Sequence, residues 1–442
     1  MSFRLLQSLG TTDPLAAVFD DRSLIRGMLR FELALARAEA RLGVIPAHAV
    51  AAIAAAVENP EAFDVANIEA RARATGTIAI GLVEGLTARV RALDAQSAGF
   101  VHWGATSQDV TDTALVLCLA DARPMLEQHH QRLVDALRSL SDLHAGTPML
   151  GRTLLQPAPP VTFGLKAAGW YAASVRGWTR VRSGFDEVQV LQFGGASGTL
   201  AALGDRGLDV SAELGRELGL ALPEAPWHAH RDRLAALLVA CGVYVATLGK
   251  IAGDVALLMQ GEVGEAAEPG GGSSTLPHKR NPAGCSIAIA AATRVPGLVA
   301  SFLSGMAQQH ERGVGGGHAE GPTVAAVVQA TGAALSAVQE VVETLSVDPA
   351  RMRANIAATQ GMVFTERAMM LLAPAIGRES AYTLVETAAT RARASGGRFG
   401  DALAAMPEVS RILTPADLST LDAPEEYLGM AERLRVQLLG TR

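Results

Sequence analysis

The sequence predicts an all-α protein, with long helices bundled in the middle of the chain. Three observations carry this. Ala and Leu predominate in a chain that is 49% hydrophobic and only 4% aromatic, and these two residues head the helix-propensity ranking. Residues 22–43 place Leu24, Met28, Phe31, Leu35, Ala38 and Leu42 at spacings of three and four, with Arg26, Arg30, Arg37 and Arg41 largely off that stripe. No stretch alternates apolar and β-branched residues with period two, so little or no sheet is expected.

The elements follow in order. The 22–43 stripe is an amphipathic helix stopped by Gly43 and Pro46. Residues 124–145, 164–183, 231–262, 283–310, 324–345 and 362–374 also read as helices. Two of them carry uncharged runs, between Arg233 and Lys250 and between Glu320 and Glu340. A helix without charge on any side is buried all round. The second run reaches membrane-spanning length, but its Ala, Gly, Thr, Ser and Gln make it only mildly apolar. Burial inside an oligomeric helix bundle is therefore expected, and no membrane span. Gly and Pro cluster at 146–160, 194–207, 268–284 and 313–322; these read as loops, where chemistry collects. Boundaries near 95–100 and 345–350, where "SVDPARM" restarts a helix, divide the chain into segments 1–98, 99–345 and 346–442.

Charge and cysteines narrow the class. A net charge of −6 gives no basic face for nucleic acid, yet it leaves room for a local anion site. Cys118, Cys241 and Cys285 are dispersed and lack CxxC spacing, so they read as buried thiols of a reducing, cytoplasmic compartment. The start, "MSFRLLQSLGTTDP", has no apolar signal-peptide core.

Four loops hold the chemistry-bearing residues. In "EPGGGSSTLPHKRNPAG", residues 268–284, glycines let backbone approach a ligand, and Asn281-Pro282 reads as a cap and first turn of a helix. Ser273, Ser274, Lys279 and Arg280 then precede a helix N-terminus, which itself favours anions. A flexible linker before a capped helix fits the same residues. In "VHWGATSQDVTDTA", residues 101–114, Thr106 and Asp109 fit a capping box, with Ser107 beside them; an ordinary N-cap fits equally. His102 in isolation suits a satisfied core histidine. "GRTLLQPAPPVTFG", residues 151–164, offers Arg152, Thr153 and Gln156 ahead of prolines that open a helix. "QQHERGVGGGHAE", residues 308–320, ends a helix with His310 and Arg312, a placement the helix dipole alone explains.

Taken together, TSQD, GRTxxQ and GSSxxPxKxNP in this order resemble the fumarase/aspartase superfamily over nearly the whole chain. The resemblance implies a three-domain, all-α homotetramer with a twenty-helix core, and active sites drawing on three subunits. It implies that Ser273 is the general base that handles the proton α to a carboxylate. It also implies a small polycarboxylate substrate and no metal or organic cofactor. His102, Thr106, Ser107, Arg152, Gln156, Ser274, Lys279, Asn281 and Arg312 become substrate-binding candidates.

Within the superfamily, "FDDRSLIRGMLRFELALARAEARLGVIP", "VLQFGGASGTLAALG" and "LPHKRNP" are most similar to the bacterial 3-carboxy-cis,cis-muconate cycloisomerases. Most superfamily lyases carry His after GRT; here Leu154 stands there. A lyase that expels an amine or alcohol oxygen must protonate a poor leaving group. In lactonisation the group that adds or leaves is the substrate's own carboxylate, already ionised at neutral pH, so the histidine is dispensable. A fumarate-releasing lyase resembling adenylosuccinate lyase, and a non-catalytic scaffold, are the other classes. Leu154 counts against the first, and the intact Ser-Lys-Asn signature against the second.

Overall fold

The computed structural model describes residues 4–440 and is predominantly helical, as the composition requires. The chain divides into two compact units: Met1–Gln131, Arg176–Gly249 and Ile287–Ala337 form the first, and Arg132–Val175, Lys250–Ser286 and Val338–Arg442 the second.

In the first unit, α1 (Asp21–Arg41) opens with Asp20, whose side chain accepts from the amide of Ser23. Its apolar stripe is buried as expected, with Phe31, Leu35 and Ala38 among the most enclosed residues. Beside it lie α2 (Ala47–Val57), α3 (Val65–Thr75) and α4 (Ile78–Leu93). The long α5 (Ser107–Leu143) continues straight through Pro124, so the helix expected from 124 begins seventeen residues earlier. α6 (Phe163–Val188), α7 (Gly207–Leu218) and α8 (Asp232–Leu258) follow. Gly177 of α6 lets Tyr244 of α8 approach, because a Cβ there would meet the ring at 2.5 Å. Tyr244 bonds His130 at 2.7 Å, and His130 stacks on Trp178. α9 (Ala283–Gly305) and α10 (Gly316–Glu343) complete the long helices. α10 starts inside the glycine-rich stretch expected as loop and runs through Pro322.

The little sheet found among the described residues lies in the second unit, part of it where a loop was expected. Residues 146–160 are not an irregular loop. They form most of a hairpin of β1 (Pro148–Thr153) and β2 (Gln156–Thr162), paired antiparallel with Thr153 opposite Gln156. Pro157, Pro159 and Pro160 lie within β2 instead of opening a helix. A two-stranded ribbon has free edges, where a missing N–H is harmless. Gly151 is required, since a Cβ would sit 2.3 Å from the carbonyl oxygen of Pro159. A short β-pair also joins Ala266–Ala267 to Ser346–Val347. Leu150 packs with Ile356, Val363 and Phe364. Asp348 caps α11 (Pro349–Ala358), where "SVDPARM" restarts a helix. α12 (Thr365–Ile376), α13 (Arg378–Ser395) and α14 (Phe399–Ala404) bury Leu372, Val385 and Phe399 in a core of their own.

All three cysteines are free and buried. Three helices, α8, α9 and α10, are long and apolar enough to cross a membrane by length and composition alone. α9, which the charge pattern had not singled out, is the least covered, with 22% of its apolar window buried.

Candidate active site

The start of α5 is the best-organised corner of the first unit. The Thr106 amide donates to Asp109 Oδ2 at 3.0 Å, one half of the expected capping box. The other half is replaced: the Asp109 amide bonds the Thr106 carbonyl, and Thr106 Oγ1 accepts from Arg312 at 3.2 Å. Arg312 also donates to the Ala196 carbonyl at 3.3 Å. Asp109, wholly buried, accepts from the amides of Gly194 and Gly195 at 3.0 and 2.9 Å and meets His228 Nε2 at 2.7 Å. One carboxylate thereby pins the glycine turn of "VLQFGGASG" to the TSQD corner. Ser107 is half-buried in the same turn.

Beneath this corner, Arg231 makes a two-pronged bond to Asp112 and reaches Glu320, all three side chains being nearly enclosed. Burial raises the Glu320 carboxyl above its ordinary range, against the opposing pull of Arg231. Gln308 donates to Glu320 at 3.1 Å and to the Gly305 carbonyl at 3.0 Å. The turn that carries His310 and Arg312 is held by that bond. His102 has φ +59 and places Nδ1 2.6 Å from Glu32 Oε1. Burial resists charging its ring, but the Glu32 carboxylate, helped by Asp109, outweighs burial and raises the pKa.

In the second unit, the signature loop is closed by paired backbone bonds between Gly271 and Asn281, each 2.8 Å. Ser273 Oγ accepts from the amides of Thr275 and Leu276 at 3.3 and 3.0 Å. Ser274, Lys279 and Arg280 are exposed, and neither cation has a carboxylate partner among the described residues. Asn281 differs from its expected role as cap. Its side chain donates to the Gly272 carbonyl at 3.2 Å, and α9 starts only at Ala283. Glu268 does the capping, accepting from the amides of Gly284 and Cys285 at 3.0 and 3.4 Å. Burial, with Glu268 beside it, pushes the Cys285 thiol up to about 12.

The hairpin supplies Arg152 and Gln156. Arg152 is clamped to buried Glu265 by bonds of 2.6 and 2.8 Å, and Asn355 donates to the same carboxylate at 2.7 Å. Gln156 is exposed at the start of β2. Between them Leu154 and Leu155 form a two-residue turn with φ +53 and +62, and they are 97% and 73% exposed. Left-handed φ at both positions defines a type I′ turn, which normally takes Asn-Gly.

Among the groups that escaped the sequence reading are Glu32, His228, Glu265 and Glu268. Glu32 alone had left a signal, an acid inside the apolar stripe four residues after Met28 and three before Leu35. The other three act on partners between 16 and 119 residues away, which no local spacing reveals. Among the described residues no group of three or more His, Cys, Asp or Glu is arranged to hold a metal ion.

Residues 7–297 match the family described as Lyase, and residues 361–436 match the family described as adenylosuccinate lyase C-terminus. A Bradyrhizobium diazoefficiens protein named 3-carboxy-cis,cis-muconate cycloisomerase is 45% identical over 98% of this chain and 97% of its own. A Pseudomonas aeruginosa protein of the same name is 47% identical over 95% of this chain and 92% of its own. The crystal structure of 3-carboxy-cis,cis-muconate lactonizing enzyme from Pseudomonas putida matches with TM-score 0.93 at 42% identity, covering 99% of this chain and 98% of that one. A family match over most of the chain, full-length relatives of this similarity and a shared fold lead to one conclusion: the chain belongs to this lyase family, the fumarase/aspartase superfamily.

Proposed function

We propose that this protein is a 3-carboxy-cis,cis-muconate cycloisomerase, an intramolecular lyase of aromatic-compound breakdown. One carboxylate oxygen of the tricarboxylate diene adds across a double bond and closes a γ-lactone. The carbanion left α to a second carboxylate takes a proton from Ser273; in reverse, Ser273 removes it. The observation that carries this reading is the pair of loop amides donating to Ser273 Oγ. Two N–H dipoles and the unpaired Lys279 favour the alkoxide, and a free hydroxyl is too weak an acid without such help.

Lys279, Arg312, Asn281, Ser274, His102 and the Thr106/Ser107 helix end bind the substrate carboxylates in this mechanism. Arg152, held by Glu265, and Gln156 shape the wall beside the Leu154–Leu155 turn. Because the reaction is intramolecular, proximity supplies much of the rate, and no proton has to be delivered to the departing carboxylate.

The site is shared among subunits of a homotetramer with a twenty-helix core, built from the middle of the three segments divided near 98 and 345. The support is α9: a long apolar helix left mostly uncovered needs other chains around it. The cytoplasm, where free thiols persist, suits the three unpaired cysteines.

The test is direct. Adding 3-carboxy-cis,cis-muconate should bleach the diene's ultraviolet absorbance. An unchanged trace, with fumarate released from adenylosuccinate instead, would replace this reading by that of a fumarate-releasing lyase.

A further inference from the structure

The contact between Glu32 and His102 carries more than a packing role. Glu32 lies on the buried face of α1, with its side chain 1% exposed. Among the described residues only one of its oxygens is used: Oε1 meets His102 Nδ1 at 2.6 Å, while Oε2 has no hydrogen-bond partner. Seven residues along the same face, buried Glu39 has no hydrogen-bond partner for either oxygen among the described residues. A carboxylate in such surroundings is expensive unless a charge faces it. The separation matches a charge-assisted bond, shorter than a neutral N–H···O contact. His102 also sits at a positive φ, a conformation uncommon outside glycine. With Nδ1 committed, Nε2 is the ring nitrogen left without a partner among the described residues, on a side chain still 18% exposed.

We infer that Glu32 is a positioning residue of the reaction: it fixes the His102 ring through Nδ1–H, holds it as an imidazolium, and so offers Nε2–H as a standing contact for a substrate carboxylate. The dyad resembles the carboxylate–imidazole pairs that orient metal-binding histidines, but here its product is a positive charge. The charged groups acting on the ring are Glu32 from α1 and Asp109 from α5. Asp109 is already in contact with His228, and the Glu32 charge acts in turn on Glu39, raising its carboxyl. The raised pKa of His102 has the sign this arrangement requires. The role of His102 as a substrate contact rests on the function proposed above; the charge and orientation of the ring do not.

The test separates the two. Diethyl pyrocarbonate acylates neutral imidazole, so its rate of addition to His102, followed by peptide mass spectrometry from about pH 5.5 to 8.5, titrates this one ring around the ordinary value near 6.5. In the parent protein the midpoint should lie above that value. Glu32→Gln keeps an acceptor for Nδ1–H but removes the charge, so the midpoint should fall toward it. The same midpoint in both proteins overturns the inference, as does a His102 that resists acylation at every pH, because Nε2 must be available. With muconate turnover in hand, Glu32→Gln should raise KM about tenfold at pH 8 for each unit of lost pKa and change kcat little. A fall in kcat alone also overturns it. If no turnover is found, the acylation midpoints still decide whether Glu32 charges His102.

Discussion

The carboxylate of Asp109 meets Nε2 of His228 at 2.7 Å, with the two side chains 0% and 5% exposed. Two glycine amides and the Thr106 amide converge on the same carboxylate. Asp109→Asn places an NH2 group where only acceptors fit, leaving a buried donor without a partner. We expect a loss of about 1–3 kcal/mol, the usual cost of a buried polar group left without a partner, read as a lower urea midpoint. Hydrogen exchange at Gly194 and Gly195 should quicken in the variant. Unaltered protection there would mean that the turn is held by something else.

Ser273→Ala removes the hydroxyl that accepts from the Thr275 and Leu276 amides. Turnover should fall by about 10²–10⁴, the usual contribution of a positioned proton-transfer group. Circular dichroism and the unfolding midpoint should be unchanged, because Ser273 belongs to an exterior loop. Near-normal turnover removes Ser273 from the mechanism.

Glu39 imposes a pH dependence on stability. Burial first, and the Glu32 charge second, push its carboxyl up to about 9, whereas an unfolded glutamate titrates near 4.3. Between these values the folded state keeps a proton that the unfolded state has released. Its contribution is therefore fullest below the lower value and declines as pH rises toward the higher one. The slope from one such group is about 1.4 kcal/mol per pH unit. Glu39→Gln is neutral throughout, so its stability relative to the parent should climb between about pH 6 and pH 8 by roughly 1–3 kcal/mol. Parallel stability curves in urea would contradict this.

The Leu154–Leu155 turn opposes local preference in two ways, left-handed backbone and exposed apolar side chains. Replacing it with Asn-Gly should stabilise the fold by about 1–2 kcal/mol, the scale of left-handed strain at ordinary residues. On the proposed mechanism the same change removes an apolar wall, so kcat/KM should drop while the melting temperature rises. A variant that gains no stability would show that the turn carries no strain.

How far the sequence disclosed this molecule depends on the range of each interaction. The buried stripe of α1 and the helix restart at "SVDPARM" were legible because their causes lie within four residues. The Thr106–Asp109 corner was half legible: the amide bond formed, but Arg312, 206 residues away, took the threonine hydroxyl. The hairpin was hidden because Leu-Leu carries no turn chemistry and the prolines of β2 mimic a helix start. The cap of α9 was assigned to Asn281, the local residue, whereas Glu268 reaches it from across the loop. The clamp on Arg152 lies 113 residues from it in sequence and left no trace there.

Helix α9 has a bearing on how the protein comes into being. Its 23 residues make a rod about 35 Å long, and most of that rod is unclothed in a single chain. If the proposed homotetramer is what covers it, a newly made chain must keep this greasy surface apart from everything except its own kind until assembly is complete. The waiting time shortens as copies become more abundant, because their meeting is a collision between molecules. Hazard in the cell is then set by how soon siblings arrive, and less by how firmly any one of them is folded.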